Sequence, residues 1–251
     1  MADKISRIGI IAAMDEELDL LRKQVKVLDR VENSGIIFYI AELGDLSIVI
    51  VQSGIGKTQA SMATTLLYMH FKVDAIYNTG TAGGLAEAVS VGDVVIADNL
   101  SYFDVDVTAF GYSLGQVPKQ PECYTSSLNL LHSAKSQAQE LSSSCDYTAH
   151  FGQIISGDSF ISDMKRKNKI CENFSDAIAL DMESAAIAQV CTHLKIPFLI
   201  IRSISDKASD SANSSFEENI KLASKNATHF LLNMIINNHL SSKIKENIVS
   251  A

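Results

Sequence analysis

The chain has 251 residues, of which 47% are hydrophobic, and this length and composition allow a substantial buried core. Acidic residues outnumber basic ones by 29 to 21, which gives a net charge of −8. No nucleic-acid partner is expected, because affinity for phosphate backbones depends on clustered Lys and Arg. No linker-like stretch divides the chain, so we expect one domain over residues 1–251.

An apolar stretch near the N-terminus, Ile8 to Met14, has about half the length of a membrane span. It runs directly into Asp15-Glu16-Glu17, which a signal peptide would not tolerate in its apolar region, and it is therefore predicted to be a first strand. No later stretch is apolar enough to cross a membrane. The four cysteines are widely spaced without a CxxC pair, so zinc is not expected and the cytoplasm is the expected location.

Short β-branched runs alternate with longer helical patterns along the chain, which is typical of α/β proteins. The predicted strands are, in chain order, Ile8–Ala12, Ile36–Leu43, Leu46–Gln52, Ala75–Asn78, Val94–Asp98, Gly152–Ser156, Ile178–Leu180 and Phe198–Ser203. The predicted helices are Glu16–Val25, Lys57–His70, Ser126–Leu141, Ser162–Glu172, Ser184–His193 and Ser215–Ile236. Gly44-Asp45 indicates a hairpin between the second and third strands, so the sheet is expected to be mixed. The polar tail from about Asn237 is expected to fray.

Carboxylates follow three of the predicted strands, at the edge where such sheets bind ligands. Glu17 comes after the first strand, Glu183 after the seventh and Asp206 after the eighth. Each also has a local explanation, because acids in a first helical turn stabilise the helix dipole and Asp caps helices. An arginine at the end of an apolar strand needs a partner, however, so Arg202 with Asp206 favours a site for a polar or anionic ligand.

Two glycine-containing stretches, Ser53–Thr58 and Asn78–Leu85, follow other predicted strands. The first is not a P-loop, because Val51 stands where a Walker A motif has its first glycine, and the second is not a dinucleotide-binding GxGxxG. Their glycines are expected to let the backbone pass close to a ligand or, in the second stretch, another strand. Asp104 and Asp106 form an alternative cation site, but no nearby acid completes the ligand shell, and no metal is expected.

In this order and spacing, the stretches around these residues resemble the 5′-methylthioadenosine/S-adenosylhomocysteine nucleosidases of the nucleoside phosphorylase and nucleosidase superfamily. The resemblance runs from about Ile8 to about Ile236 and includes Asp106–Tyr112 and Ser156–Ile161. It implies a single-domain, three-layer α/β/α fold with a mixed, twisted central sheet. It also implies hydrolysis of the N-glycosidic bond of both nucleosides, and 5′-deoxyadenosine is a further candidate substrate. The implied metabolic roles are methionine salvage and removal of a methyl-cycle by-product. No cofactor is implied.

The resemblance also implies roles for individual residues. Glu17 matches the carboxylate that activates water, Asp206 the acid that protonates adenine N7, and Glu183 the residue that holds the ribose hydroxyls. Arg202 is implied to position the water and the ribose region. The other implied substrate contacts are Phe160 and Ile161 at the purine, Met14, Ile55 and Phe216 at the 5′-thio group, Met182 at the sugar, Thr81 where many relatives have Ser, and Ser205 beside the general acid.

A further segment resembles the part of these enzymes that reaches into the pocket of a neighbouring subunit. Its residues are Val107, Phe110, Tyr112 and Pro118. The implied assembly is a homodimer, and the implied substrate is a small nucleoside.

Two other functions remain open at this point. A purine nucleoside phosphorylase would use phosphate instead of water, and phosphorolysis needs basic groups on the far face of the sugar. Near the first strand the chain offers Glu17 and no arginine that matches this role, which favours water. A non-catalytic nucleoside-binding protein would not need three acids. The related substrate aminodeoxyfutalosine would suit the same pocket.

Overall fold

The computed structural model describes residues 5–209 and 212–239 and shows a mixed sheet with helices on both faces, as predicted. The strands are β1 Arg7–Ala12, β2 Lys26–Asn33, β3 Ile36–Leu43, β4 Leu46–Gln52, β5 Ala75–Gly84, β6 Val94–Tyr102, β7 Tyr124–Thr125, β8 Ala149–Ser156, β9 Ala177–Asp181 and β10 Phe198–Asp206. The α-helices are α1 Asp15–Gln24, α2 Lys57–Phe71, α3 Leu128–Leu141, α4 Met164–Asn173, α5 Ser184–Leu194 and α6 Ala212–His239, and Thr108–Phe110 form a short 3₁₀ turn.

The sheet has an open half and a closed half. In the open half, β1 lies between β4 and β5 and is parallel to both, while β4, β3 and β2 form an antiparallel meander. In the other half, β5, β10, β6, β8 and β9 form a closed ring, because β5 pairs with both β10 and β9. The predicted Gly44-Asp45 hairpin joins β3 and β4.

Helices cover the sheet in two layers. On one face, α1, α3 and α6 bury apolar residues such as Leu18, Leu131 and Phe230 against β1, β5, β6 and β10. On the other face, α2 and α5 pack against each other and against the sheet, with small residues such as Ala63 and Ala186 in the contact. The three-layer arrangement follows from the alternation of strands and helices along the chain.

The structure differs from the sequence-based expectation mainly in the strands. Strand β2 was not predicted, because its two faces are both largely exposed at the edge of the sheet and its charged residues hide the alternation that marks a half-buried strand. The two-residue strand β7 was also not predicted. Strand β5 extends through Gly80 to Gly84 and is buried throughout, so most of the glycine-rich stretch Asn78–Leu85 is strand.

Helix ends differ by a few residues from those expected. Helix α3 begins at Leu128 and not at Ser126, and α6 runs from Ala212 to His239 and not from Ser215 to Ile236. The expected fraying tail therefore begins inside a helix at Asn237, and its remaining residues, from 240 onward, lie outside the described part of the chain. None of the described helices is long and apolar enough to cross a membrane.

Candidate active site

A cavity of about 270 Å³ lies where β1, β5, β9 and β10 end, next to the loop after β8 and the first turns of α6. Every predicted residue of the same-subunit site except Arg202 lines it. The lining residues are Ala13, Met14, Glu17, Ile55, Thr81, Ala82, Gly83, Ser159, Phe160, Ile161, Leu180, Asp181, Met182, Glu183, Ser205, Asp206 and Phe216. Three carboxylates that are far apart in the sequence therefore share one cavity.

These strand ends meet for a topological reason. Strand β9 is antiparallel to β5, but the two overlap only through their last residues, with Gly83 opposite Leu180 and Gly84 opposite Ala179. Antiparallel strands that overlap only at their C-terminal ends bring the last residues of both strands to the same place. Closure of the ring thus adds Glu183 to the acids that β1 and β10 supply.

Glu17 is buried at the first turn of α1 and accepts four hydrogen bonds. Oε2 accepts from the amides of Ala13 at 2.8 Å and Met14 at 3.2 Å. Oε1 accepts from the amide of Thr81 at 2.9 Å and its hydroxyl at 3.2 Å. The amide of Met14 belongs to the residue that caps the helix, so the local role of an acid in the first helical turn and a place in the cavity coexist.

Glu183 lies at the start of α5 and contacts two other elements. Its Oε1 accepts from the amide of Gly56 at 2.8 Å, and its Oε2 lies 3.3 Å from Arg202 Nη2. The pKa of Glu183 is raised to about 7, mainly by burial and also by the nearby charge of Asp181. The charge of Arg202 and the Gly56 amide act in the opposite direction. The glycine-containing turn after β4 therefore donates its Gly56 amide to a carboxylate of the protein itself.

Asp206 is the last residue of β10 and is buried. Its Oδ1 accepts from the amide of Ala208 at 2.8 Å and its Oδ2 from the hydroxyl of Ser205 at 2.9 Å. Burial raises the pKa of Asp206 above the usual range of an aspartic acid, although these two hydrogen bonds and the charge of Lys167 act in the opposite direction. A raised pKa favours the protonated form of the carboxyl, which is the form that can donate a proton.

Arg202 is completely buried behind the cavity wall. Its Nε donates to Asp181 Oδ2 at 2.8 Å, and its Nη2 donates to Glu183, so the charge at the end of the apolar strand is paired. Within the described residues, Nη1 has no hydrogen-bond partner. A Cβ at Gly80 would lie 2.1 Å from Nη1 and 2.6 Å from Glu17 Oε1, so the absent side chain of this glycine leaves room for both groups.

Asp181 lines the cavity but was not among the predicted site residues. It accepts hydrogen bonds from Arg202 Nε, from the hydroxyls of Ser156 and Ser184, and from the amides of Ser184 and, more weakly, Glu183. Asp181 thus holds the arginine and the beginning of α5 together. Its position directly before Met182 and Glu183 could have indicated a place in the site. Its partners Ser156 and Arg202, however, come from the distant strands β8 and β10.

Apolar and aromatic side chains form the rest of the cavity wall. The rings of Phe160 and Phe216 meet edge to face with centroids 5.9 Å apart. Ile161 is buried, whereas Ile55 and Phe160 are partly open to solvent. The cavity therefore combines a polar floor with an apolar mouth, which is the usual composition of a site for a small organic ligand.

The segment expected to reach a neighbouring subunit lies outside this cavity. Val107, Phe110, Tyr112 and Pro118 do not line it, and the side chain of Phe110 is 81% exposed. At the alternative cation site of Asp104 and Asp106, the carboxylate of Asp104 pairs with a lysine: Lys57 Nζ lies 2.6 Å from Asp104 Oδ2. No group of three or more potential metal ligands is found in residues 5–209 and 212–239.

Comparison with known proteins first defines the class. The model of the phosphorylase superfamily matches residues 7–236. The 5′-methylthioadenosine/S-adenosylhomocysteine nucleosidase of Listeria monocytogenes serovar 1/2a is 43% identical over 228 residues, which cover 91% of this chain and 98% of that protein.

Solved structures agree with this class. The nucleosidase of the same name from Neisseria meningitidis, in complex with methylthio-immucillin-A, has a TM-score of 0.90 and 37% identity, and the match covers 93% of this chain and all of that one (100%). The futalosine hydrolase of Helicobacter pylori strain 26695 has a TM-score of 0.88 and 30% identity, with 93% and 98% covered. The chain belongs to the 5′-methylthioadenosine/S-adenosylhomocysteine nucleosidase family within the phosphorylase superfamily.

Proposed function

We propose that this chain hydrolyses the N-glycosidic bond of 5′-methylthioadenosine and S-adenosylhomocysteine, releasing adenine and the 5′-thio-ribose. The observation that carries the proposal is the meeting of Glu17, Glu183 and Asp206 around one cavity with an apolar mouth. Membership of the nucleosidase family supports the same substrates. 5′-Deoxyadenosine is a further candidate, because it lacks only the thio substituent.

Water activation is assigned to Glu17. Glu17 lines the cavity, where its carboxylate can accept a hydrogen bond from the attacking water. Arg202 Nη1 and Glu17 Oε1 both lie close beside Gly80, and Arg202 is proposed to help position the water through this proximity. As the water attacks C1′ of the ribose, its proton passes to Glu17. An attacking water and a general base on the face opposite to the leaving group are typical of inverting glycosidases.

Departure of the base is assigned to Asp206. Adenine leaves more readily when N7 receives a proton, because the electrons of the glycosidic bond then remain on a neutral purine. The raised pKa of Asp206 keeps a proton available for this step, and the hydroxyl of Ser205 fixes the orientation of the carboxyl. Proton donation of this kind contributes roughly 10²–10⁴-fold in rate.

Glu183 is the proposed ligand of the ribose hydroxyls. In its ionised form it accepts their protons in hydrogen bonds and stabilises the positive charge that develops on the sugar as the bond breaks. Arg202 and the amide of Gly56 both favour that ionised form. Met182, directly before it, is proposed to pack against the sugar, and Thr81 is proposed to contribute its hydroxyl, with its methyl group altering the ribose fit slightly.

The apolar residues divide between the two ends of the nucleoside. Phe160 is proposed to stack on the purine, beside backbone contacts from Ile161. Met14, Ile55 and Phe216 are proposed to surround the 5′-thio group. This division follows their positions in the wall of the cavity: Phe160 and Ile161 follow β8, and Met14 and Ile55 lie at the ends of β1 and β4.

The proposed assembly is a homodimer of a single-domain chain. Val107, Phe110, Tyr112 and Pro118 would extend into the neighbouring subunit's cavity and cover the 5′ end of the nucleoside. Phe110 is 81% exposed in the single chain and is therefore accessible to a neighbouring subunit. The proposed location is the cytoplasm, whose reducing conditions suit four free cysteines.

Water is favoured over phosphate by the charges at the cavity. None of the described residues that line it is Lys, Arg or His, while four are acids: Glu17, Asp181, Glu183 and Asp206. Arg202 already pairs with Asp181 and Glu183. A phosphate in the cavity would therefore find no basic lining residue to bind it, which disfavours phosphorolysis.

Adenine release tests the proposal. Methylthioadenosine, S-adenosylhomocysteine, aminodeoxyfutalosine and inosine are each incubated with the protein, with and without phosphate, and the products are separated by chromatography. We expect adenine from the first two at a rate independent of phosphate, and no hypoxanthine from inosine. Phosphate-dependent formation of a ribose 1-phosphate would establish a phosphorylase, and binding of methylthioadenosine without turnover would establish a binding protein.

A further inference from the structure

The first turn of α2 binds two carboxylates through neighbouring backbone amides. The amide of Gly56 donates to Glu183 Oε1 at 2.8 Å, and the amide of Lys57 donates to Asp158 Oδ1, also at 2.8 Å. Glu183 comes from the start of α5, and Asp158 from the loop between β8 and α4. Because the two amides are adjacent, a shift of one at the start of this helix moves the other.

Lys57 and Asp104 extend this contact. Lys57 Nζ lies 2.6 Å from Asp104 Oδ2 and 3.8 Å from Asp158 Oδ2, and the amide of Asp158 donates to Asp104 Oδ2 at 2.9 Å. We call Lys57, Asp104 and Asp158 the Lys57 cluster. Two glycines allow its close packing: a Cβ at Gly56 would lie 3.1 Å from Asp158 Oδ1, and one at Gly157 would lie 2.9 Å from Asp104 Cγ.

The cluster is joined to the cavity on both sides. Asp158 directly precedes Ser159, Phe160 and Ile161, which line the cavity. On the other side, the Gly56 amide fixes Glu183. The exposed part of the cluster is a surface ion pair, and such pairs contribute little to stability. Its hydrogen bonds to backbone amides are the part that restricts the position of site residues.

We propose that Asp158 is a positioning residue for the reaction, which, with Lys57 and Asp104, clamps the start of α2 so that the Gly56 amide stays on Glu183 and Phe160 stays over the cavity. This inference rests on the proposed hydrolase function and adds a residue that does not touch the reacting atoms. It predicts that loss of Asp158 affects the ionisation of Glu183 as well as the rate.

The charged and titratable groups that face Glu183 are Arg202 on β10, Asp181 on β9 and Glu17 on α1, together with the Gly56 amide on α2. The amide favours the ionised form, so its loss raises the pKa of Glu183 further. A merely structural role of Asp158 would leave that pKa, and the acidic limb of the pH profile of kcat/KM, where they are in the wild type.

The experiment compares three variants with the wild type on methylthioadenosine: Asp158→Ala, Asp158→Asn and Asp163→Ala. Asp163 is the matched control, because it lies in the same loop but caps α4 through the amide of Arg166. We expect Asp158→Ala to lower kcat/KM about tenfold and to move its acidic limb to higher pH, since small displacements of positioning groups cost rate. Asp158→Asn keeps an oxygen for the Lys57 amide and should retain the wild-type limb.

A wild-type chain without adenine release contradicts the proposed function and the inference with it. An active wild type in which Asp158→Ala and Asp163→Ala share the same acidic limb contradicts the inference alone. If Asp158→Ala does not fold, Lys57→Met provides the test, because it keeps the amide but leaves Asp104 and Asp158 to repel each other. Its acidic limb should move in the same direction, and an unchanged limb would overturn the role of the cluster.

Discussion

The two ends of the cavity hold carboxyl groups in opposite environments. At one end, Glu17 accepts four hydrogen bonds, three of them from backbone amides. At the other end, Asp206 accepts two, and burial raises its pKa. Four donors match a carboxylate that acts as an acceptor, whereas burial with fewer donors favours the protonated form. These different surroundings agree with the base role proposed for Glu17 and the acid role proposed for Asp206.

The comparison also shows that a local hydrogen bond to the backbone and a place in the cavity do not compete for these residues. Glu17 accepts from the amide of the capping residue Met14, and Asp206 accepts from the amide of Ala208. Each acid satisfies a nearby backbone donor with one oxygen and presents the carboxyl to the cavity as well. A local structural explanation for an acidic residue is therefore no argument against a functional one.

The largest effect is expected at the acid end. Asp206→Asn preserves the shape of the side chain but removes the transferable proton. It should lower kcat roughly 10²–10⁴-fold while KM for methylthioadenosine changes little. Steady-state kinetics of adenine release measures both constants. Near-normal kcat would show that another group protonates the base.

The base end is tested by Gly80→Ala. The added methyl group would meet Arg202 Nη1 and Glu17 Oε1, so both should be displaced, and kcat should fall about 10²-fold. Gly35→Ala is the control, because it also introduces a side chain at a glycine but has no neighbour within 4 Å there. Its positive φ of 76° means that it should reduce stability and leave kcat unchanged. Equal kcat in both variants would show that the positions of Arg202 Nη1 and Glu17 Oε1 beside Gly80 do not affect the reaction.

A smaller effect is expected from the segment outside the cavity. If Phe110 covers the neighbouring subunit's nucleoside, Phe110→Ala should raise KM roughly two- to tenfold, the size of an aromatic contact. Leu128→Ala removes a comparably exposed side chain, 76% accessible, at the start of α3 and should leave KM unchanged. An unaltered KM in Phe110→Ala would place Phe110 outside the pocket.

The smallest effect concerns stability and pH. The pKa of Glu183 is about 7 in the folded protein against an ordinary 4.5, so the folded state binds this proton more tightly than the unfolded state does. The resulting contribution to the free energy of unfolding is complete below pH 4.5 and is lost as the pH rises through about 7. Glu183→Gln should remove that loss. Urea unfolding across this pH range measures it, and equal slopes for both proteins would contradict the shifted pKa.

Much of the architecture could be predicted from the chain. The helices and most strands follow from periodicity, and the α/β class follows from their alternation. The failures have a common cause. Strand β2 is exposed on both faces and carries no clear alternation, and the predicted strand Ala75–Asn78 stops short of the glycines after it, whereas β5 runs to Gly84 and pairs with β1, β9 and β10 inside the sheet. Local pattern does not reveal pairing with distant strands.

The candidate site divides in the same way. The resemblance to a family named the acids and most of the wall, but not the hydrogen bonds that distinguish Glu17 from Asp206. Nor did it single out Asp181 or Asp158, whose partners lie more than one element away in the chain. Those residues acquire a function only through contacts that the fold creates.

The sequence by itself determined the alternation of strands and helices, the acids after three strands, and the family. Only the tertiary structure decided that these acids share a cavity, because β9 is antiparallel to β5 and meets it through the last residues of both strands. It also decided that Glu17 accepts four hydrogen bonds and Asp206 two, although both are buried. Burial and hydrogen bonding depend on neighbours that the fold brings together in space, and these neighbours cannot be identified from the local sequence.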